Sequence, residues 1–199
     1  FLSGLHASPF HGFSVEFSEH RKYTPGDDIR QIDWGVYAKT DRFYIRKFEA
    51  ETNLDAYLLM DCSGSMAYAG GDRMTKMDYA ICLAAALGYL MIHQQDAVGL
   101  VTFDDKVRAY LPPKSKRSHL MNMLSILGRT VPSATTDLAG ALNDVAGRIR
   151  KRGLVILLSD LRSEDQEAII RGLHHLKFRG HDLIIFQVLD ESEVTFDFD

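Results

Sequence analysis

Four short runs of this 199-residue chain are continuously apolar and do not alternate with polar residues. Strands buried on both faces of a parallel sheet show this pattern, because helices cover the sheet on each side. Stretches with helical periodicity separate the runs, so strands and helices alternate along the chain. The runs are 56–60, 97–103, 154–158 and 183–189. They predict an α/β fold with a doubly wound, mostly parallel sheet between about residues 54 and 189.

A fifth segment, 107–111, alternates apolar and polar residues and follows the turn sequence Asp104-Asp105-Lys106. We expect it to pair antiparallel with the preceding strand at one edge of the sheet and to stop at Pro112-Pro113. The predicted helices are 78–93, 118–127, 138–150 and 164–178. Helix 78–93 is apolar on nearly every side, which favours a central position against the sheet.

Residues 1–53 have a different character, with few long apolar runs and many aromatic residues. Segment 43–51 alternates in part and is predicted to pair as a strand. The turn cluster at 24–28 is expected to be hydrogen-bonded and to position Arg30, Asp33 and Trp34, with Trp34 anchored in a core. These differences predict an N-terminal extension, 1–53, followed by an α/β domain, 54–199.

Composition excludes several classes of protein. An apolar fraction of 46% with a net charge of −4 excludes whole-chain disorder. The longest apolar stretch, 81–92, is too short for the roughly 20 residues that span a bilayer, and a pI near 6.1 argues against nucleic acid as a partner. Phe1 in place of Met indicates a piece of a longer protein, so a membrane anchor elsewhere stays open.

The two cysteines, Cys62 and Cys82, both lie in apolar runs and are expected to be buried. Two such residues make no disulfide framework, which favours a reducing compartment and a cytoplasmic location. Cys62 is interpreted as a small core residue and not as a nucleophile.

The most informative motif follows the first apolar run directly. Asp61 comes at the end of the predicted strand, and Ser63 and Ser65 follow with Gly64 between them. In open α/β sheets, ligands bind beyond the carboxyl ends of the strands. One carboxylate with two hydroxyls is an oxygen-only ligand set suited to a hard cation such as Mg²⁺.

Two further groups are expected at the same edge of the sheet. Asp160 follows the third run, and Thr136 precedes a helix that Asp137 is expected to cap. If the strands are neighbours, five residues converge on one metal site: Asp61, Ser63, Ser65, Thr136 and Asp160. Two carboxylates only balance a divalent ion, so such an ion could still accept a carboxylate from a partner.

This constellation resembles the metal-ion-dependent adhesion site of von Willebrand factor type A domains, in the same order on the same elements. The resemblance implies a divalent cation, Mg²⁺ first with Mn²⁺ or Ca²⁺ as alternatives, and an Asp160 that acts through water. The sequence departs from the family pattern just before Thr136, where Ala134 and Thr135 replace a frequent glycine pair.

The N-terminal region narrows the resemblance. RKYTPGDDIRQIDW at 21–34, YAKT at 37–40 and FEAE at 48–51 are similar to a bacterial family called domain of unknown function 58. Members resemble type A domains and are associated with MoxR-type AAA+ ATPases. The resemblance therefore implies such an ATPase, or a client that it remodels, as the protein partner.

The sequence supports three hypotheses about function. The first is a non-enzymatic interaction module that binds a partner carboxylate through the metal ion. The alternative is a metal-dependent, phosphatase-like hydrolase using Asp61, although Ser63 stands where a second carboxylate is usual and Lys76 is the nearest lysine downstream. The third is a purely structural domain whose site stays empty.

Overall fold

The computed structural model describes residues 15–50, 55–133, 137–149, 151–163 and 165–196. The chain divides into two units, Phe1–Asn53 and Leu54–Asp199. Among the described residues, no helix has both the length and the apolar character that crossing a membrane requires.

In the first unit, strand β1 (Val15–Lys22) pairs antiparallel with strand β2 (Tyr44–Ala50). Helix α1 (Trp34–Thr40) lies between them in the chain. The strand predicted over 43–51 is thus confirmed, whereas its partner β1 was not predicted. The predicted turn is also confirmed, because Asp27 accepts hydrogen bonds from the backbone and hydroxyl of Thr24.

Trp34 is not the core anchor that the sequence predicts, since 56% of its surface is exposed. Asp33 caps α1 by accepting from the N–H groups of Gly35 and Val36, and this cap leaves Trp34 as the first, outward-facing helical residue. Among the side chains described in this unit, Ile32 and Ile45 are buried and also form a backbone bridge.

The described residues of the second unit form a five-stranded sheet, five α-helices and a short 3₁₀ helix. Its elements are β3 (Asp55–Asp61), α2 (Lys76–His93), β4 (Ala97–Phe103), β5 (Val107–Lys114), α3 (Arg117–Leu127), α4 (Leu138–Arg148), β6 (Leu154–Ser159), α5 (Gln166–Phe178), β7 (Asp182–Gln187) and α6 (Glu191–Thr195). The strand order is β5–β4–β3–β6–β7, and only the β4–β5 pair is antiparallel. The predicted α/β class, with a mostly parallel sheet and one antiparallel edge strand, is confirmed.

Two apolar cores cover the two faces of this sheet. Alternate residues of β3 enter different cores: Leu58 and Met60 pack with α2 and α3, while Tyr57 and Leu59 pack with α4 and α5. Burial on both faces explains the continuously apolar runs of β3, β4 and β6. Helices therefore enclose the middle of the sheet on both faces.

Three features differ from the sequence-based expectation of burial. β7 is an edge strand, so Ile184, Ile185 and Phe186 are each more than a third exposed, unlike a strand buried on both faces. Helix α2 buries one face only and exposes Tyr79, Tyr89 and Leu90. Cys82 lies on this exposed side, so the expectation that both cysteines are buried is wrong.

β5 also continues through Pro112-Pro113 to Lys114, where the sequence predicts an end. An edge strand tolerates proline because its outer N–H groups need no partner strand. The β4–β5 register shifts between Val98 and Leu100, opposite the proline pair. Gly99 allows this close approach, because a Cβ atom there would lie 2.7 Å from the Leu111 carbonyl oxygen.

Substituting Gly99 with alanine is expected to destabilise the fold by about 1–3 kcal/mol, since backbone atoms cannot move aside as a flexible side chain can. Gly147→Ala is a matched control, because a Cβ atom at that exposed helical position meets nothing within 4 Å. It should raise stability by about 0.5–1 kcal/mol. Urea denaturation of both variants tests the opposite signs, and equal effects would contradict the packing argument.

Candidate functional site

The candidate site lies where two neighbouring parallel strands end. Asp61 is the last residue of β3, and Asp160 directly follows β6. The two strands pair in register up to Met60 and Leu158, so both aspartates emerge at the same edge of the sheet. Both are buried, with only 2% of the surface of Asp61 and 4% of that of Asp160 exposed.

The two serines of the motif fold back towards the end of β3. The Ser63 backbone N–H donates to Asp61 Oδ1 at 2.8 Å, which closes a tight turn. A short 3₁₀ helix, Gly64–Ala67, then places Ser65 so that its Oγ lies 3.1 Å from the Oγ of Ser63. The chain thereby gathers two hydroxyls beside one buried carboxylate.

Asp61 is an unfavourable place for a negative charge. Burial raises the pKa of its carboxyl group, and the nearby charge of Asp160 raises it further. Hydrogen bonds from Ser159 Oγ and from Ser63 act in the opposite direction but do not offset the burial. The ionised Asp61 would gain from a cation beside it.

Asp160 has the opposite electrostatic character. Burial alone would raise its pKa, but hydrogen bonds from the Lys76 ammonium and the Ser65 side chain hold the pKa below its ordinary value. Lys76 Nζ donates to Asp160 Oδ2 at 2.8 Å, and the backbone N–H of Arg162 donates to Oδ1 at 3.1 Å. Leu161 between them has a left-handed backbone, with φ of 57°, and its N–H donates to Ser159 Oγ.

Lys76 and Glu193 complete the cluster, and sequence reasoning missed both. Lys76 is the first residue of α2, and its ammonium donates to both Glu193 oxygens at 2.9 Å as well as to Asp160. Lys76 opens helix α2 as a solvated lysine often does, so its burial between carboxylates had no local signal. Glu193 lies on α6, 117 positions further on, and no local pattern indicates it.

The structure therefore brings together four of the five residues predicted to bind metal: Asp61, Ser63, Ser65 and Asp160. Thr136 lies outside the described residues. Asp137 caps α4 by accepting from the Gly140 N–H, as predicted. Within the described part of the chain, no group of three or more His, Cys, Asp or Glu side chains is arranged to hold a metal ion.

Cys62 lies within the motif but takes no part in the hydroxyl cluster. It is buried, and burial raises the pKa of its thiol to about 12. A thiol in that state stays protonated at neutral pH and is not a nucleophile. The interpretation of Cys62 as a small core residue is confirmed.

Comparison with known protein families identifies the chain's relatives. The family described as "Protein of unknown function DUF58" matches residues 19–198. The chain belongs to the DUF58 family. An uncharacterized protein of Mycobacterium tuberculosis is 30% identical over 197 residues, covering 97% of this chain and 61% of the relative. This DUF58 chain thus spans about three-fifths of the length of the curated relatives that it matches.

Solved structures are similar to the DUF58 chain in fold. An aerotolerance-related membrane protein from Bacteroides fragilis matches with a TM-score of 0.56 at 17% identity, covering 66% of each chain. A protein described as von Willebrand factor type A from Catenulispora acidiphila gives a TM-score of 0.46 at 19% identity, covering 64% of this chain and 31% of that one. The predicted membership of DUF58 is confirmed by the family match, and the α/β fold is shared with the Bacteroides fragilis protein.

Proposed function

We propose that this DUF58 chain is a non-enzymatic protein-interaction module that binds its partner through a divalent cation. Asp61, Ser63 and Ser65 would hold the ion, with Thr136 and Asp160 completing the site. The observation that carries the proposal is the pair of serine hydroxyls gathered beside a buried carboxylate at the end of a central strand.

The donor set fits a small hard cation. Ligands at adjacent corners of an octahedron with bonds of 2.0–2.1 Å lie about 2.9 Å apart. The Ser63 and Ser65 hydroxyl oxygens are 3.1 Å apart, which is close to that spacing. All donors are oxygens, which favours Mg²⁺, with Mn²⁺ or Ca²⁺ as alternatives.

The charge of the cluster supports the same proposal. Asp61, Asp160 and Glu193 carry three negative charges, and the Lys76 ammonium cancels one of them. The remaining two only balance a divalent ion, and neutral hydroxyls supply the other protein ligands. A bound cation would therefore offer a positive charge to which a partner's aspartate or glutamate binds.

The partner that we propose is a MoxR-type AAA+ ATPase, or a client of one, in the cytoplasm. This step rests on the sequence resemblance to the DUF58 family and on the need for a partner carboxylate. A purified MoxR-type ATPase should bind the immobilised chain in the presence of Mg²⁺ and be released by EDTA. Binding that is indifferent to EDTA would contradict a cation-mediated contact.

The hydrolase alternative gains no support from the geometry. It would need an ionised Asp61 with a lysine beside it, whereas Lys76 donates to Asp160 and Glu193. Both oxygens of Asp61 accept hydrogen bonds, from Ser63 and Ser159, and burial raises the pKa of the group. These contacts suit a carboxylate held for a cation better than a nucleophile.

Isothermal titration with Mg²⁺ and Mn²⁺ tests the proposed site directly. We expect one ion per chain for the wild type and an affinity loss of more than about 100-fold for Asp61→Ala, since even outer-shell contacts are worth 10–100-fold. Asp144→Ala is the matched control, because Asp144 is an exposed helical aspartate paired with Arg148. No binding by the wild type would overturn the metal-dependent part of the proposal and favour a structural domain.

A further inference from the structure

We infer that Lys76 is the positioning residue of the cation site, and that Glu193 cancels its charge so that Asp160 remains available to the cation. This inference rests on the proposed function, because it concerns the same site. Through Glu193, helix α6 would then contribute to the affinity of the site at the end of β3 for a divalent ion.

The first support is that Lys76 and Asp160 are buried and Glu193 is partly buried. Only 2% of the Lys76 side chain is exposed, against 1% for Asp160 and 17% for Glu193. A buried ammonium needs partners that satisfy its charge and its donors. Lys76 finds them in two carboxylates from different elements, one after β6 and one on α6. The lysine is therefore fixed between these two groups and is not free to leave for solvent.

The second support is the way the Asp160 oxygens are used. Oδ2 accepts from the Lys76 ammonium and Oδ1 accepts from the Arg162 backbone N–H. These two bonds hold the carboxylate in one orientation. Because the Lys76 ammonium is bound to one of its oxygens, Asp160 suits a role as a nearby charge or as a ligand acting through water, as the sequence resemblance implies.

The third support is the geometry of Glu193. Both of its oxygens accept from Lys76 Nζ, and Oε2 also accepts from the Asp190 N–H in a capping box at the start of α6. Asp190 in turn accepts from the Gly70 N–H at 3.1 Å, on the segment before α2. Glu193 is thus held against Lys76 by contacts that do not involve the cation ligands.

The consequence is a defined charge balance. With Glu193 present, the ammonium and this carboxylate cancel, and Asp61 with Asp160 face a cation with their full charge. Without Glu193, the Lys76 charge is compensated by Asp160 alone and repels a second positive ion. Because the interior screens charges weakly, the loss of one negative charge at this range is expected to lower cation affinity about tenfold.

The test is isothermal titration of the full chain with MgCl₂ for four proteins: wild type, Glu193→Gln, Glu191→Gln, and the double variant Lys76→Met with Glu193→Gln. Glutamine keeps the side-chain oxygen that the capping box needs. Glu191→Gln makes the same chemical change on the same short helix, where Glu191 pairs with Arg73 and its side chain is 70% exposed. Thermal unfolding in EDTA is recorded for each protein, so that changes in stability are separated from changes in affinity.

We expect Glu193→Gln to weaken Mg²⁺ binding about tenfold, Glu191→Gln to leave it unchanged, and the double variant to return to within about threefold of wild type. A purely structural role for Lys76 would not give that recovery, because the double variant loses more contacts than the single one. If the wild type binds Mg²⁺ and Glu193→Gln binds it equally well, the inference is wrong while the proposed function stands. If the wild type binds no Mg²⁺, both fail together.

Discussion

Replacing Lys76 with methionine is expected to lower the free energy of unfolding by about 3–5 kcal/mol, measured by urea denaturation in EDTA at pH 7. Methionine has a similar length, so the loss comes from charge and not from a cavity. Without the ammonium, the buried Asp160 carboxylate and the partly buried Glu193 carboxylate lose their shared donor and the positive charge between them. Removing one partner of a buried ion pair costs far more than the pair contributes on the surface.

Two further variants make this prediction specific. Lys106→Met changes an exposed lysine in the β4–β5 hairpin and should shift stability by less than about 0.5 kcal/mol. The triple variant with Lys76→Met, Asp160→Asn and Glu193→Gln neutralises the cluster and should recover most of the loss. A Lys76→Met protein within about 1 kcal/mol of wild type would show that the ammonium is not buried between these carboxylates in solution.

The middle of the fold could be predicted from sequence because its signals are local. β3, β4 and β6 are continuously apolar since each is covered by helices on both faces, and a run of this kind needs no knowledge of distant residues. The position of Asp61 followed for the same reason, because a carboxylate directly after a buried strand must lie at the sheet's edge. Asp160 lies beside Asp61 because β6 is the neighbour of β3 in the sheet, and that strand order could not be derived from the sequence.

The parts that could not be predicted depend on long-range contacts. Lys76 resembles an ordinary solvated lysine at a helix start, and its burial depends on carboxylates 84 and 117 positions away. The exposure of β7 could not be predicted either, because an apolar run does not indicate whether its strand lies in the middle or at the edge of the sheet. At Trp34 a local contact determines the outcome: the cap at Asp33 makes Trp34 the first residue of α1, and its large apolar side chain is exposed.

Asp61→Asn is expected to raise the stability of the metal-free chain, by about 0.5–2 kcal/mol, the range typical of relieving an unfavourable group at a functional site. Burial raises the pKa of Asp61 above its ordinary 3.8, so the ionised carboxylate costs folding free energy at neutral pH. The gain should be present at pH 7. It should vanish below about pH 3.8, where Asp61 is protonated in both the folded and the unfolded chain.

Magnesium should reverse this order. The wild type gains stability by binding the ion, about 2.7 kcal/mol at a concentration 100 times its Kd, whereas Asp61→Asn gains nothing. The variant is therefore expected to be the more stable protein in EDTA and the less stable one in saturating Mg²⁺. Asp144→Asn, at an exposed helical position, should follow the wild type in both conditions.

The opposite order of stability in EDTA and in Mg²⁺ distinguishes a residue that binds a ligand from a residue that stabilises the fold. Asp61→Asn retains the side-chain shape and an oxygen for the Ser63 N–H, and the Ser159 hydroxyl, which donates to the other oxygen in the wild type, can turn to accept from the new amide. A loss of stability in EDTA would therefore come mainly from the missing charge. Such a loss would mean that the Asp61 anion stabilises the fold by itself, against the raised pKa. Asp61 is buried at the carboxyl end of β3. If Asp61→Asn stabilises the metal-free chain, the ionised carboxylate lowers the stability of the fold, and binding of the cation offsets that loss.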